Sequence, residues 1–357
     1  YLHPFGVFGL DIEALKFPQI WLKARSEGWL EGLGQSIDDF NLSATAARMG
    51  KFMLPSKDPG QVLSSLKYAF HFDAGLYARY LRSYAEARGV VRREGRVVDV
   101  ALRGEDGFIR AVTLDGGYEI EADLFIDCSG FRGLLIEQTL KAGFEDWNHW
   151  LPTNSALAVQ TRSTGPALPY TRASAHRAGW QWKIPLQHRV GNGLVYSSDH
   201  MSDDEAHALL LQQIDGERLT EPRLLRYRTG RRRKTWDKNC IALGLASGFV
   251  EPLESTSIHM IMIGVTRLMQ LFPFDGVNEA VIARYNRLAE DELEKIRDFI
   301  ILHYTLTQRA DSPFWDDCRT MDIPDSLVHR IALFRDNAQV FQAPGELFQV
   351  DSWLQVM

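Results

Sequence analysis

Cysteine is scarce in this chain: Cys128, Cys240 and Cys318 are the three among 357 residues, an odd number at wide spacing. That argues against a disulfide-stapled scaffold and against a cysteine-built zinc site, and it fits a reducing, cytoplasmic setting. No apolar stretch approaches the roughly 18 residues needed to span a bilayer, and no basic-then-apolar leader opens the chain. A large excess of one charge is missing too. With 40 basic and 46 acidic residues the formal net charge is -6, too small to suggest a nucleic-acid footprint or a membrane-surface patch. Repeats, low-complexity tracts and flexible linkers are absent as well, so residues 1–357 are expected to form a single compact unit. Small molecules and other enzymes are the partners this leaves.

What is present is an apolar content of 45%, enough for a substantial core. The first residue is Tyr1 rather than Met. The opening Tyr-Leu-His-Pro-Phe-Gly reads as domain interior, and the closing Ser-Trp-Leu-Gln-Val-Met stops inside an apolar periodic segment. Both ends are therefore expected to be cut. Residues 1–60 show no sustained period and predict loops and short helices. Leu76, Tyr80, Leu81 and Tyr84 recur at helical spacing, with Gly89 placed just beyond the helix end.

Three short β-rich runs, 96–102, 108–114 and 118–121, are separated by Gly-Glu-Asp-Gly and Asp-Gly-Gly and predict a meander. Leu124-Phe125-Ile126-Asp127 then reads as a buried parallel strand that delivers the Cys128-Ser129-Gly130 loop at its carboxyl end, where α/β proteins place ligands. Runs at 156–161, 180–185, 194–197 and 223–229 predict a second sheet. Residues 203–214, 257–272 and 281–300 predict helices, the last long and amphipathic. The fold class expected is mixed α/β (α+β), a β-meander and a second sheet followed by a helical carboxyl-terminal part. The run Arg231-Arg232-Arg233-Lys234 reads as a solvated turn rather than a nucleic-acid patch.

Residues 239–256, Asn-Cys-Ile-Ala-Leu-Gly-Leu-Ala-Ser-Gly-Phe-Val-Glu-Pro-Leu-Glu-Ser-Thr, join a buried-strand pattern to small residues and then to a helix start. Small side chains let backbone approach a flat cofactor. Ser255 and Thr256 are good cap residues, and the first free N–H groups of the following helix, around Thr256 and Ser257, form a natural anion site for a halide, phosphate or carboxylate. Taken alone, this segment is a capped helix beside a loop acid, Glu254. In Gly179-Trp180-Gln181-Trp182-Lys183-Ile184-Pro185 the period of two puts Trp180, Trp182 and Ile184 on one face of a strand, ordinarily as core.

The whole string closely resembles the second flavin-contacting and catalytic motif of the flavin-dependent tryptophan halogenases. Trp-x-Trp-x-Ile-Pro, with Trp180, Trp182, Ile184 and Pro185, resembles the signature that separates them from related monooxygenases. Residues 122–136, Ala-Asp-Leu-Phe-Ile-Asp-Cys-Ser-Gly-Phe-Arg-Gly-Leu-Leu-Ile, resemble the stretch that closes the family's FAD-binding sheet, and His3-Pro4-Phe5-Gly6 resembles its His-x-Phe-Gly element. The resemblance implies an FAD-monooxygenase-like fold in which residues 90–136 belong to the FAD-binding region, 150–230 to a substrate-side sheet, 239–257 to the second flavin and catalytic motif, and 258–357 to a helical part.

It also implies roles. Val97 contacts the adenine of FAD and Leu245 lies over the isoalloxazine. Chloride or bromide sits near Thr256 and Ser257, and His3 and Phe5 line an indole pocket. The tryptophans keep the organic substrate away from the flavin. Reduced FAD, delivered by a separate NAD(P)H-dependent flavin reductase, and oxygen oxidise the halide to hypohalous acid. Glu254 and a lysine direct that species to an electron-rich aromatic. The family's Gly-rich fingerprint and that lysine lie upstream of His-x-Phe-Gly and have no counterpart here, which implies that this chain alone neither holds FAD tightly nor halogenates.

The chain also departs from tryptophan-specific members. Where they carry an aromatic-rich insertion, Gln342-Ala343-Pro344-Gly345-Glu346-Leu347-Phe348 leads straight to Ser352-Trp353-Leu354. Indoles, peptides and other electron-rich aromatics are then open as substrates, and a homodimer is open as an assembly. The competing readings are an FAD-dependent aromatic hydroxylase, against which the tryptophan signature and Glu254 weigh, and a non-catalytic flavin-binding or interaction protein.

Overall fold

The computed structural model describes residues 3–13 and 15–357. The strands, in chain order, begin with β1 (Val97–Leu102), β2 (Ile109–Leu114), β3 (Glu119–Glu121), β4 (Phe125–Asp127) and β5 (Phe144–Asp146). Then come β6 (Ser155–Thr161), β7 (Arg172–His176), β8 (Gly179–Pro185), β9 (Val190–Tyr196) and β10 (Arg223–Arg226). Four short strands follow, β11 (Gly230–Arg232), β12 (Trp236–Asp237), β13 (Cys240–Ala242) and β14 (Gly248–Phe249). The helices are α1 (Phe17–Ser26), α2 (Leu42–Arg48), α3 (Ala74–Glu86), α4 (Asp203–Gln213), α5 (Ser257–Gln270), α6 (Glu279–Thr305), α7 (Pro313–Thr320), α8 (Asp325–Asn337) and α9 (Val350–Val356).

These elements form two compact units whose segments alternate along the chain. The first comprises Tyr1–Phe72, Ser155–Arg226 and Asp298–Met357. Its centre is an antiparallel sheet in the order β10-β6-β9-β8-β7, which gathers the four runs expected as a second sheet and adds β7. Strand β9 is central and nearly fully buried because both its neighbours are long and in register over seven residues each. Gly193 in β9 has a steric role: a Cβ there would lie 2.0 Å from the indole of Trp182. Helix α4 starts on a reciprocal capping box, Ser202 with Glu205. Around α6, α8 and α9, Phe299 stacks on Phe348 with centroids 3.8 Å apart and meets Trp353 edge-on at 4.9 Å.

The second unit comprises Asp73–Asn154 and Tyr227–Arg297. Strands β1-β2-β3 form the expected meander. Strand β4 pairs in parallel with β13, and β12 completes that sheet. A third small sheet has the order β14-β11-β5. One core packs Ile109, Val112, Phe125, Ile136, Ala242 and Ala246 together; a second packs Trp236, Ile241, Leu268 and Tyr285 beneath α5 and α6.

One expectation is met with an open face, and one changes in part. Helix α3 forms where the periodicity places it, but none of its residues is buried, and Leu76, Tyr80, Leu81 and Tyr84 are exposed. Half of the basic run departs from the solvated turn expected: Arg233 and Lys234 are exposed, but Arg231 and Arg232 are not. Arg231 and Arg232 lie in β11 and are only 7% and 5% exposed. Carboxylates converge on them from several elements: Glu145 at 2.9 Å, Glu290 and Glu294 on Arg231, and Glu137 at 2.9 Å on Arg232. Paired this way, buried guanidinium groups are tolerated.

Candidate active site

The parallel pair β4 and β13 ends on one side of the second unit, with Asp127 level with Ala242. Each strand releases a tight turn there: Gly130–Arg132 after β4 and Gly244–Ala246 after β13. Asp127, 1% exposed, organises the first. One carboxylate oxygen accepts from the Ser129 N–H at 2.8 Å, the other from Leu135 and Ile136 at 2.8 and 2.9 Å, so it caps the π-helical turn Leu134–Thr139. Arg232 ties the two turns together. Its Nε donates to the Ala246 carbonyl at 3.0 Å and its Nη2 to the Phe131 carbonyl at 3.1 Å, while Nη1 pairs with Glu137. Burial lowers the pKa of this guanidinium, opposed by Glu137 and Asp127.

Leu245, 39% exposed, stands on the second turn as an accessible apolar side chain. Val97, half-buried, packs against the core that includes Ala246. An exposed leucine on a turn of small residues, at the carboxyl ends of parallel strands, fits a flat ring system lying against it.

The Gly244–Ala246 turn packs on α5, at whose start Thr256 and Ser257 stand. Upstream, Glu251 is fully buried, and a relay fixes it: the Tyr227 hydroxyl donates to Thr153 Oγ1 at 3.0 Å, which donates to Glu251 Oε2 at 2.5 Å. Pro252–Glu254 form a single 3₁₀ turn in which Glu254 is half-buried. Ser255 ends it in the left-handed region, φ 55° and ψ 35°, and re-aims the chain into α5.

Thr256 occupies the N-cap position but does not cap: its backbone angles, -79° and -14°, are already helical. A capping hydroxyl needs extended backbone to reach the N2 or N3 N–H, so the Thr256 hydroxyl turns inward. Thr256 is 2% exposed and its Oγ1 has no hydrogen-bond partner among the described residues. An orphaned hydroxyl beside the uncapped, positive end of a 14-residue helix, with Ser257 opening that helix, fits a small anion.

The remaining expected site residues belong to the other unit. Trp180 is buried and Trp182 and Ile184 are half-buried on one face of β8; the indoles are 6.1 Å apart, and Trp182 is seated against Gly193. The Pro185 carbonyl is held by His71, whose Nδ1 lies 3.1 Å away and whose Nε2 lies 3.1 Å from the Thr171 hydroxyl. His3 joins the aromatic wall of Phe299 and Phe348 at 5.7 and 6.2 Å. Phe5 does not join it and is 55% exposed.

Residue spacing gave no warning of Thr153, Tyr227, Arg232 or His71, because their partners are distant in sequence. The signal available for the arginines was their place just after a predicted strand.

The tryptophan halogenase family model matches residues 1–357. Among solved structures, the chain is 50% identical to Xcc4156, a flavin-dependent halogenase from Xanthomonas campestris, at a TM-score of 0.94 over 100% of this chain and 70% of that one. It is 49% identical to BrvH, a flavin-dependent halogenase from Brevundimonas sp. BAL3, at a TM-score of 0.95 over 100% of this chain and 72% of that one. Tryptophan 6-halogenase SttH of Streptomyces toxytricini is 39% identical over 282 residues, 77% of this chain and 54% of the relative, so the chain spans about half the length of that protein. The mixed α/β architecture with its helical carboxyl-terminal part is thus the flavin-dependent halogenase fold, and the chain belongs to the tryptophan halogenase family.

Proposed function

We propose that this chain supplies the halide-holding and acidic part of an FADH2-dependent halogenase that acts on an electron-rich aromatic of the indole or tryptophan type. The observation that carries the reading is the buried, unpartnered Thr256 hydroxyl at the uncapped start of α5, two residues after Glu254. Reduced FAD, when bound, supplies with oxygen the two-electron oxidation that makes a halide electrophilic. Leu245 and the Val97 backbone hold the flavin, and Thr256 with the Ser257 N–H holds chloride or bromide. Glu254, on a turn fixed by buried Glu251, stabilises positive charge on the aromatic ring as the carbon–halogen bond forms. A carboxylate positioned in advance in a low-dielectric site is effective at this. Trp180 and Trp182 separate substrate from flavin, while His3 against Phe299 and Phe348 offers an aromatic surface for the ring. Phe5 is proposed as a pocket residue from its place in His-x-Phe-Gly.

A separate NAD(P)H-dependent reductase is the proposed flavin source. No described helix is long and apolar enough to cross a membrane; a cytoplasmic setting is proposed from the scarce cysteines.

Product mass tests the reading. The protein carrying this chain, given a flavin reductase, NADH, FAD, oxygen and bromide with a panel of indoles, is expected to yield brominated products. Oxygen incorporation without bromine would replace the reading with that of a hydroxylase, and flavin binding without any product would replace it with a non-catalytic role.

A further inference from the structure

Helix α5 is held unevenly. Its outer stripe, Ile258, Ile261, Met262, Val265 and Met269, is exposed, and no side chain caps its amino end. Its inner face packs on α6 through Leu268 and through the Tyr285 hydroxyl, which donates to the Gly264 carbonyl at 3.2 Å, and near its amino end the link to α6 is one carboxylate. Glu292 receives Arg267 Nη2 at 2.7 Å on one oxygen and His259 Nε2 at 3.3 Å on the other. Arg267 and Glu292 are nearly enclosed, their side chains 9% and 12% exposed. With Tyr285 and Ser247 they border a cavity of about 20 Å³, room for a single water. A pair this shielded keeps its geometry, because leaving either charge uncompensated is costly.

His259 is the third residue of α5. Its backbone N–H is therefore one of those the helix leaves without an intrahelical acceptor, and its side chain ties the same turn to α6.

Resting on the reading of residues 254–257 as an anion site, we infer that His259 is a positioning residue for the halide. Through Glu292 it holds the first turn of α5 so that the N–H groups of that turn converge with the Thr256 hydroxyl. A terminal helical turn with neither a side-chain cap nor a buried outer face opens readily; the His259 link opposes that opening at the point where the anion is held. Arg267 holds the far oxygen of the same carboxylate and so keeps Glu292 in place when His259 is changed. A residue acting this way governs how tightly halide is held and leaves the chemistry at saturating halide alone.

Chloride alone is the first probe, read by broadening of its NMR line on titration with the protein. His259→Ala is expected to weaken chloride binding about tenfold. His259→Gln, which still offers an N–H to Glu292, is expected to stay within about twofold of the parent. Leu327→Ala, a core truncation in the other unit, controls for lost stability and is expected to leave chloride binding unchanged. In turnover, the half-saturating bromide concentration should rise with His259→Ala by the same factor while kcat at saturating bromide holds.

Chloride binding by His259→Ala equal to the parent, or an equal loss in Leu327→Ala, overturns the inference. Absence of saturable binding in the parent overturns the anion-site reading beneath it, and the two failures are thereby distinguished.

Discussion

The tryptophan strand and the 251–257 turn carry two of the motifs on which the family resemblance rests, and they are held in place by opposite means. Strand β8 is fixed from the sides. Two antiparallel neighbours bracket it, and Gly193 yields the volume that the Trp182 indole fills. The turn is fixed from its ends and by its backbone. A buried Thr153-Glu251 hydrogen bond anchors its start, Ser255 bends it through the left-handed region, and the Glu292 clamp anchors the helix it enters. Packing tolerates small errors by repacking; a polar turn of few contacts does not. Misfits introduced into the packing around β8 should therefore read out first as stability, and substitutions in the turn first as function.

The largest expected effect lies in the turn. Glu254→Gln, nearly isosteric, should reduce halogenation on the order of 10²–10³-fold with little change in melting temperature, the typical size for removing one preorganised charge-stabilising group. A rate within a few-fold of the parent would break the contrast at its centre. Next, Gly193→Ala should cost about 1–3 kcal/mol in chemical denaturation, since its Cβ would enter the Trp182 ring. Trp182→Leu in the same chain should recover part of that loss, and no recovery would mean that Trp182 is not what Gly193 accommodates. Thr153→Val should cost about 1–2 kcal/mol by removing the Thr153 hydroxyl's hydrogen bond to a buried carboxylate. It should also lower turnover through Glu254, a double effect not expected from Gly193→Ala.

A smaller effect depends on pH. Burial pushes the Glu292 carboxyl up, but hydrogen bonds from His259 and Arg267 outweigh it, so its pKa lies below the ordinary 4.5. A carboxyl lower in the folded than in the unfolded state contributes stability above the unfolded value and loses it as pH falls through the folded value. Stability should thus drop below about pH 4.5, and Glu292→Gln should flatten that part of the profile; an unchanged acid limb would remove Glu292 from the clamp. The smallest effect is expected for Lys183→Ala. Its pair with Asp215 at 2.5 Å is solvent-exposed, and such pairs contribute about 0.2–1 kcal/mol by thermal melting.

The sequence made some parts of this molecule legible because their signals are local. Period-two alternation and turn residues located the meander and four strands of the central sheet, and the small-residue string before Glu254 located the start of α5. Other features depended on partners far along the chain. Arg231 and Arg232 read as solvated until Glu145, Glu290 and Glu137 are brought to them by three different elements. Thr256 reads as a cap by residue type alone; the left-handed Ser255 before it, a choice of backbone rather than of side chain, is what turns its hydroxyl inward. The stripe of α3 shows the limit of amphipathic patterns. They mark a face able to be buried, and here that face stays open.

Arg232 has a consequence for how the turns after β4 and β13 behave under change. One planar side chain is bonded to the backbone of both turns and to Glu137, so a displacement of either turn is transmitted to the other as through a rigid strut. A lysine, with one flexible charged tip, has no way to brace three directions at once. The two turns should accordingly loosen together, and substitutions in Gly130–Arg132 and Gly244–Ala246 should couple rather than add in double-mutant cycles.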